Sequence, residues 1–193
     1  MGMIDLTTAC QRTADVLVQV TDDQLTAPTP CQDLRLDALL AHIGGLALAF
    51  NAAARKEFGP LTDTPPSFDA PLDEDWRVRY PARLTELALA FSRPAAWQGM
   101  TRAGTVDFPA EVAGMVALTE VVIHGWDVAR AAGLPYQVDA DTAAVVLPHV
   151  TQIAAEGPVE GLFARAVPVA DDAPALDRLV AMTGRDPGWS PGR

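Results

Sequence analysis

Most of the usual chemical signatures are missing from this 193-residue chain. It has only two cysteines, Cys10 and Cys31, and no C-x-x-C pair, so the redox and zinc-ribbon readings that depend on that spacing fall away. H-E-x-x-H is absent, which excludes a zincin protease, and so is E-x-x-H, the usual signature of a di-iron bundle. There is no G-x-S-x-G elbow and no P-loop. Basic residues are also short, with 14 Lys and Arg against 25 Asp and Glu, a formal net charge of −11. Such a chain has no basic face with which to meet phosphates, which argues against nucleic acid and against an anionic membrane surface.

Targeting features are equally sparse. The opening MGMIDLTTACQ has neither a basic n-region nor an apolar h-region, so no secretory signal is expected. Leu6 stands where a myristoylation signal needs Ser or Thr. The longest apolar stretch, residues 38–54, contains His42 and two glycines and reads as shorter than a membrane span. The expectation is a cytoplasmic protein with both thiols reduced.

What the chain does have is alanine, leucine and helical periodicity; hydrophobic residues make up 49% of it, with few β-branched or aromatic runs. The apolar spacing predicts helices over residues 5–20, 35–55, 81–92 (with Pro81 at its start), 109–132 (ending at Gly133) and 140–155. The fifth has Val145, Val146, Val150 and Ile153 inward, and a short last helix has Asp172 near its N-cap, Pro174 in the first turn and Gly184 near its C-cap. Gly44-Gly45 lowers helicity in the second helix but lets a neighbour come close. Residues 57–75, with four prolines, read as a loop, and 92–108 as irregular. With no repeat or linker, the reading is all-α: one domain over 1–193, four long helices in a bundle and the remainder packed outside.

Against this apolar background three residues stand out. Glu120 and His124 are four apart in TEVVIHGWDVARA and share a helix face; His42 lies in DALLAHIGGLALAF. A carboxylate set among apolar neighbours needs a partner, a proton or a cation. One carboxylate and two imidazoles supply three metal ligands and leave a position open, the pattern of a catalytic zinc-type site. Asp127 continues the stripe and is suited to orient an imidazole by accepting its second N–H, or to pair with Arg130. Simpler readings stay open: a structural histidine at His42, and a plain Glu120–His124 pair. His149 reads as structural or exposed. Cys31 reads as a buried or helix-initiating thiol rather than a nucleophile.

Three stretches, TPCQDLRLDALLAHI, TEVVIHGWDVARAAG and FARAVPVADDAPALDRLVAMTGRDPGW, together resemble the metal-binding relatives of mycothiol-dependent maleylpyruvate isomerase in the DinB-like superfamily. The resemblance implies a DinB-like four-helix bundle, up-down-down-up, with one or two extra C-terminal helices. It also implies a divalent metal, most often zinc, on His42, Glu120 and His124. Two departures accompany it: Leu34 stands about where a Trp is usual, and the isomerase has a further C-terminal domain where this chain has a short helix and tail.

The activity expected from the resemblance is a metal-dependent enzyme using a small thiol such as mycothiol for S-transfer, conjugation or isomerisation of a small electrophile. Asp127 and Arg130 would support it. The alternatives are a non-catalytic metal- or partner-binding bundle, a hydrolase acting through metal-bound water, and a bundle with no metal. The expected partner is a small molecule, with no nucleic acid and no membrane, and a homodimer through a helix face is expected from this type of bundle.

Overall fold

The computed structural model describes residues 3–31, 34–65, 67–159 and 163–191. Its elements in chain order are α1 (Thr7–Leu17), α2 (Leu36–Arg55), a single turn α3 (Pro60–Asp63), α4 (Trp76–Phe91), strands β1 (Met100–Ala103) and β2 (Val106–Pro109), α5 (Ala110–Ala132), α6 (Ala140–Glu156) and α7 (Ala175–Met182). Helices α1, α2, α4 and α5 form a four-helix bundle. Each packs chiefly on two others, α1 and α2 both lying against α4 and α5. The chain therefore crosses a diagonal between α1 and α2, and again between α4 and α5. The connection from α2 to its direct neighbour α4 is as long as either of these crossings.

The helices form where apolar spacing and end chemistry agree. Asp5 accepts the Thr7 amide at 2.8 Å, satisfying an N–H that the first turn of α1 leaves free. Asp139 does the same for the Thr142 amide at the start of α6. Beyond Leu17, Gln19 and Val20 bond to Val16 and Leu17, a tightened turn that ends α1 three residues before the periodicity does. α5 ends at Gly133, as the sequence predicts.

Three expectations need correction. α4 begins at Trp76, so Pro81 lies inside it. Trp76 and Tyr80, four apart and almost wholly buried, hold that extra turn on the core and offset the bond Pro81 cannot make. Residues 92–108 are not irregular: a short 3₁₀ turn at Pro94–Trp97 leads into an antiparallel hairpin pairing Thr101 with Phe108 and Arg102 with Asp107. Its two-residue turn, Gly104-Thr105, has φ of 58° and 75°, the primed geometry that suits strand twist. Four-residue strands are too short for alternation to show in the sequence. In the last helix Pro174 occupies the N-cap rather than the first turn, while Gly184 directly follows the Thr183 C-cap, near the end as expected.

The core is built mainly from Leu17, Leu36, Leu39, Leu40, Leu84, Leu87, Phe91, Leu118 and Ile123, all essentially without solvent contact. Gly44 packs against Tyr80 of α4: a Cβ there would fall 2.6 Å from the ring, so only glycine permits this approach, whereas Gly45 faces open space. α2 and α5 are both long and apolar enough to cross a bilayer, contrary to the reading of residues 38–54 as too short. In each, most of the apolar window is buried inside the bundle.

Beyond the bundle, α6 packs on α5 and α7, with Val146 and Val150 buried and Val145 and Ile153 only partly so. An extended segment after Phe163 bonds to the end of α7, Ala164 to the Thr183 carbonyl and Val167 to that of Ala181. Leu179 and Val180 of α7 are wholly buried. At about 1.5–3 kcal/mol for each fully buried aliphatic side chain, these two contribute to holding the segment on the bundle.

Candidate metal centre

α2 and α5 lie side by side, and their contact brings the three singled-out residues together. His42, Glu120 and His124 are buried, and each offers a ligand atom within 4.8 Å of the other two. The rings of His42 and His124 meet edge to face, 5.1 Å between centroids. Helical spacing accounts for the α5 pair: Glu120 Oε2 lies 3.0 Å from His124 Nε2. One turn on, Asp127 Oδ2 lies 3.0 Å from His124 Nδ1, so the imidazole is held at both nitrogens between two carboxylates.

Asp127 does not pair with Arg130. Its partner is Arg185, from the turn after α7, which donates Nε to Oδ1 at 2.9 Å and Nη2 to Oδ2 at 2.8 Å. Asp127 is fully buried and Arg185 nearly so. A two-pronged guanidinium–carboxylate pair of this kind is among the strongest hydrogen-bonded contacts, and it neutralises a charge that would otherwise be costly to bury. Arg130 turns elsewhere, donating to the Pro187 carbonyl at 2.8 Å and lying over the Trp126 ring.

His42 is positioned from the other side by the 67–72 segment. The Ser67 carbonyl accepts a hydrogen bond from its ring, and the Phe68 ring stacks on it at 4.7 Å. Part of the 57–75 loop therefore covers the site. The three residues lie at the floor of a cavity of about 950 Å³, walled by Cys31, Leu34, Phe68, Phe163 and Arg185 among others. Leu34, the position where the resemblance departs from a Trp, is on that wall.

Charge follows from this geometry. Burial works against a charged imidazole at His124, but the bonds from Asp127 and Glu120 overcome it and hold its pKa up to about 9. Burial, and His124 beside it, push His42 down to about 4, so its ring is neutral at pH 7 and keeps a lone pair. Burial opposes ionisation of Glu120, yet contact with His124 keeps its carboxyl below the ordinary range. The Cys31 thiol, raised to about 11 by burial and by the Asp127 charge, is neutral.

The buried cluster thus holds two carboxylates against one guanidinium, and the remaining negative charge is balanced by a proton on His124. A divalent cation would balance the same charge, and the donors are two imidazoles and a carboxylate, so these residues fit one. A second set, Cys31, His124 and Asp127, also lies within 4.8 Å. It is the poorer candidate because both Asp127 oxygens are already engaged.

Of the other residues weighed in the sequence, His149 and Cys10 do not line the cavity, whereas Cys31 is on its wall. His149 is half-buried on α6, its Nε2 without a hydrogen-bond partner among the described residues. Trp76, Trp97 and Trp126 are buried packing residues. Cys10 and Cys31 are both free. Arg185 escaped sequence reasoning because it sits between Gly184 and Asp186 in an aperiodic turn. Its position inside the GRDPGW ending, one of the stretches that carry the resemblance, was the only signal.

Fold and donor set together define a DinB-like four-helix bundle with a candidate metal centre between its second and last bundle helices. The chain belongs to the mycothiol maleylpyruvate isomerase N-terminal domain family, whose model matches residues 6–129. Two curated proteins of Mycobacterium tuberculosis, from two strains and named Uncharacterized protein MT0763 and Uncharacterized protein Rv0738, are each 29% identical over 180 residues. The match covers 89% of this chain and 91% of each of theirs. Crystal structures of the mycothiol-dependent maleylpyruvate isomerase and of a histidine-to-alanine mutant share the fold, with TM-scores of 0.59 and 0.61 at 15% identity, over 82% of this chain and 72% of theirs.

Proposed function

We propose that this protein is a metal-dependent enzyme that binds a low-molecular-weight thiol, mycothiol or a close analogue, and uses it in S-transfer, conjugation or isomerisation of a small electrophile in the cytoplasm. The observation that carries the reading is the convergence of His42, Glu120 and His124 at the floor of a 950 Å³ cavity. That volume is large enough for a drug-sized thiol and a second small molecule. Membership of a family named for a mycothiol isomerase supports the choice of thiol.

His42, Glu120 and His124 would hold a divalent ion, with zinc the best match to two imidazoles and one carboxylate. When bound, such an ion favours the thiolate form of a thiol at neutral pH. The chain's own residues do the rest. His42 is already neutral, with its ring held by Ser67 and Phe68. Asp127 keeps the proton of His124 on Nδ1 and leaves Nε2 to face Glu120 and the cavity. The apolar side chains of Leu34, Phe68 and Phe163 would pack against the thiol and the electrophile along the cavity wall.

The test is metal content by plasma mass spectrometry, followed by turnover with a panel of small thiols and electrophiles. Wild-type protein should carry about one equivalent of zinc per chain, and Glu120→Ala and His124→Ala essentially none, because each removes one of only three ligands. Protein that takes up no zinc even when offered it would overturn the metalloenzyme reading. Metal bound without any metal-dependent rate would reduce the protein to a binding bundle.

A further inference from the structure

We infer that Arg185 is a positioning residue for the metal centre, acting through Asp127 on His124, and that docking of the C-terminal segment and metal binding are coupled through this line. The inference rests on the proposed metal site. It adds a residue from outside the 6–129 region that defines the family.

The line is continuous and buried. Arg185 donates to both Asp127 oxygens, and Asp127 Oδ2 in turn faces His124 Nδ1 at 3.0 Å. All three side chains are buried, so removing one partner leaves the others poorly compensated. The guanidinium does two things for His124. It fixes where the carboxylate stands, and with it the ring plane and the Nδ1–H tautomer that leaves Nε2 as the ligand atom. It also neutralises Asp127, without which a bare buried carboxylate would compete with Glu120 for the same imidazole.

Arg185 is held in turn by its own segment. Its Nη1 reaches the Thr183 carbonyl at 3.4 Å, its amide bonds to the Val180 carbonyl, and the neighbouring Gly184 adopts a φ of 85° with Ala164 packed against it. Anything that fixes His124 must therefore favour the docked segment, and by thermodynamic reciprocity the docked segment must favour the bound metal.

The experiment titrates Zn²⁺ alone against a competing chelator, with amide hydrogen exchange over residues 175–191 recorded with and without Zn²⁺. The chains compared are wild type, Arg185→Met, Arg185→Lys and Val180→Ala. Outer partners of metal-bound histidines typically contribute about 10- to 100-fold in affinity, so Arg185→Met should weaken Zn²⁺ binding at least about tenfold. Arg185→Lys keeps the charge but not the planar fork, and should fall between it and wild type, so a poorly folded Met variant does not end the test. Val180→Ala loosens α7 while leaving the guanidinium itself in place, so through the coupling it should weaken Zn²⁺ binding, but by less than Arg185→Met does.

Zn²⁺ should slow exchange across 175–191 in wild type and fail to do so in Arg185→Met. If Arg185→Lys binds Zn²⁺ as tightly as wild type, or if Val180→Ala loses as much as Arg185→Met, the positioning role is wrong while the metal site stands. If wild type itself binds no Zn²⁺, the metal site fails, and this inference with it.

Discussion

The two ends of the bundle are built on the same helices and behave as opposites. At one end, the start of α5 meets Phe91 and Trp97. The indole donates to the Phe91 carbonyl at 2.7 Å, and a Cβ on Gly114 would stand 2.5 Å from the Trp97 ring. The hairpin is tied to the same end by the Thr101 hydroxyl, which donates to the Ala53 carbonyl at 2.6 Å. The Trp97 and Thr101 donors there are both spent on backbone carbonyls. At the other end α2 and α5 present His42, Glu120, His124 and Asp127, and the covering comes from residues 67–72 and from the segment after α7, which leave a cavity. The helices are apolar at both ends. What differs is whether the connections fill the space with rings or frame it with charge, so one end carries stability and the other carries chemistry.

The sharpest way to break the contrast is at the packed end. Phe91→Ala should remove about 3–5 kcal/mol of stability, as large-to-small changes at fully buried aromatics do, and leave Zn²⁺ affinity unchanged; urea unfolding and chelator competition read the two separately. Equal losses in both would mean that the ends are not independent.

The next effect belongs to the polar end alone and depends on pH. His124, raised from 6.5 to about 9, stabilises the metal-free fold fully below pH ~6.5, and that contribution is lost as pH rises through ~9. His42, lowered from 6.5 to about 4, has the opposite sign: its contribution is present above pH ~6.5 and is lost as pH falls through ~4. Metal-free protein should therefore weaken toward both extremes, and Zn²⁺ affinity should grow as pH approaches ~9 and the proton on His124 leaves. Urea midpoints of chelated protein across that range check the sign. A midpoint that rises between pH ~7 and ~9 would show that His124 is not held between two carboxylates.

The smallest effect returns to the packed end. Thr101→Val should lower stability by about 1 kcal/mol, the net worth of one buried hydrogen bond, with no dependence on pH over the same range. A pH-dependent loss there would tie the hairpin to the site and blur the distinction between the ends.

Much of this was legible in the chain. Helical periodicity located α2, α5 and α6 within a residue or two, and the i, i+4, i+7 stripe grouped Glu120, His124 and Asp127, because a helix converts sequence spacing directly into a shared face. The hairpin at 100–109 was not legible, since four-residue strands give too few alternations. The early start of α4 was hidden behind Pro81, where burial of Trp76 and Tyr80 overrides a local preference.

By itself the sequence determined the all-α bundle, the family, and which residues of α2 and α5 could serve as ligands, because each of these is written in short-range spacing or local motif. Only the tertiary structure decided that His42 stands against His124, that Phe68 covers it, and that Asp127 is answered by Arg185, 58 residues away, rather than by Arg130, three residues on. No periodicity encodes such pairings. They are fixed by how the connections fold back over the open end of the bundle, where a buried carboxylate must find a cation wherever the chain can bring one.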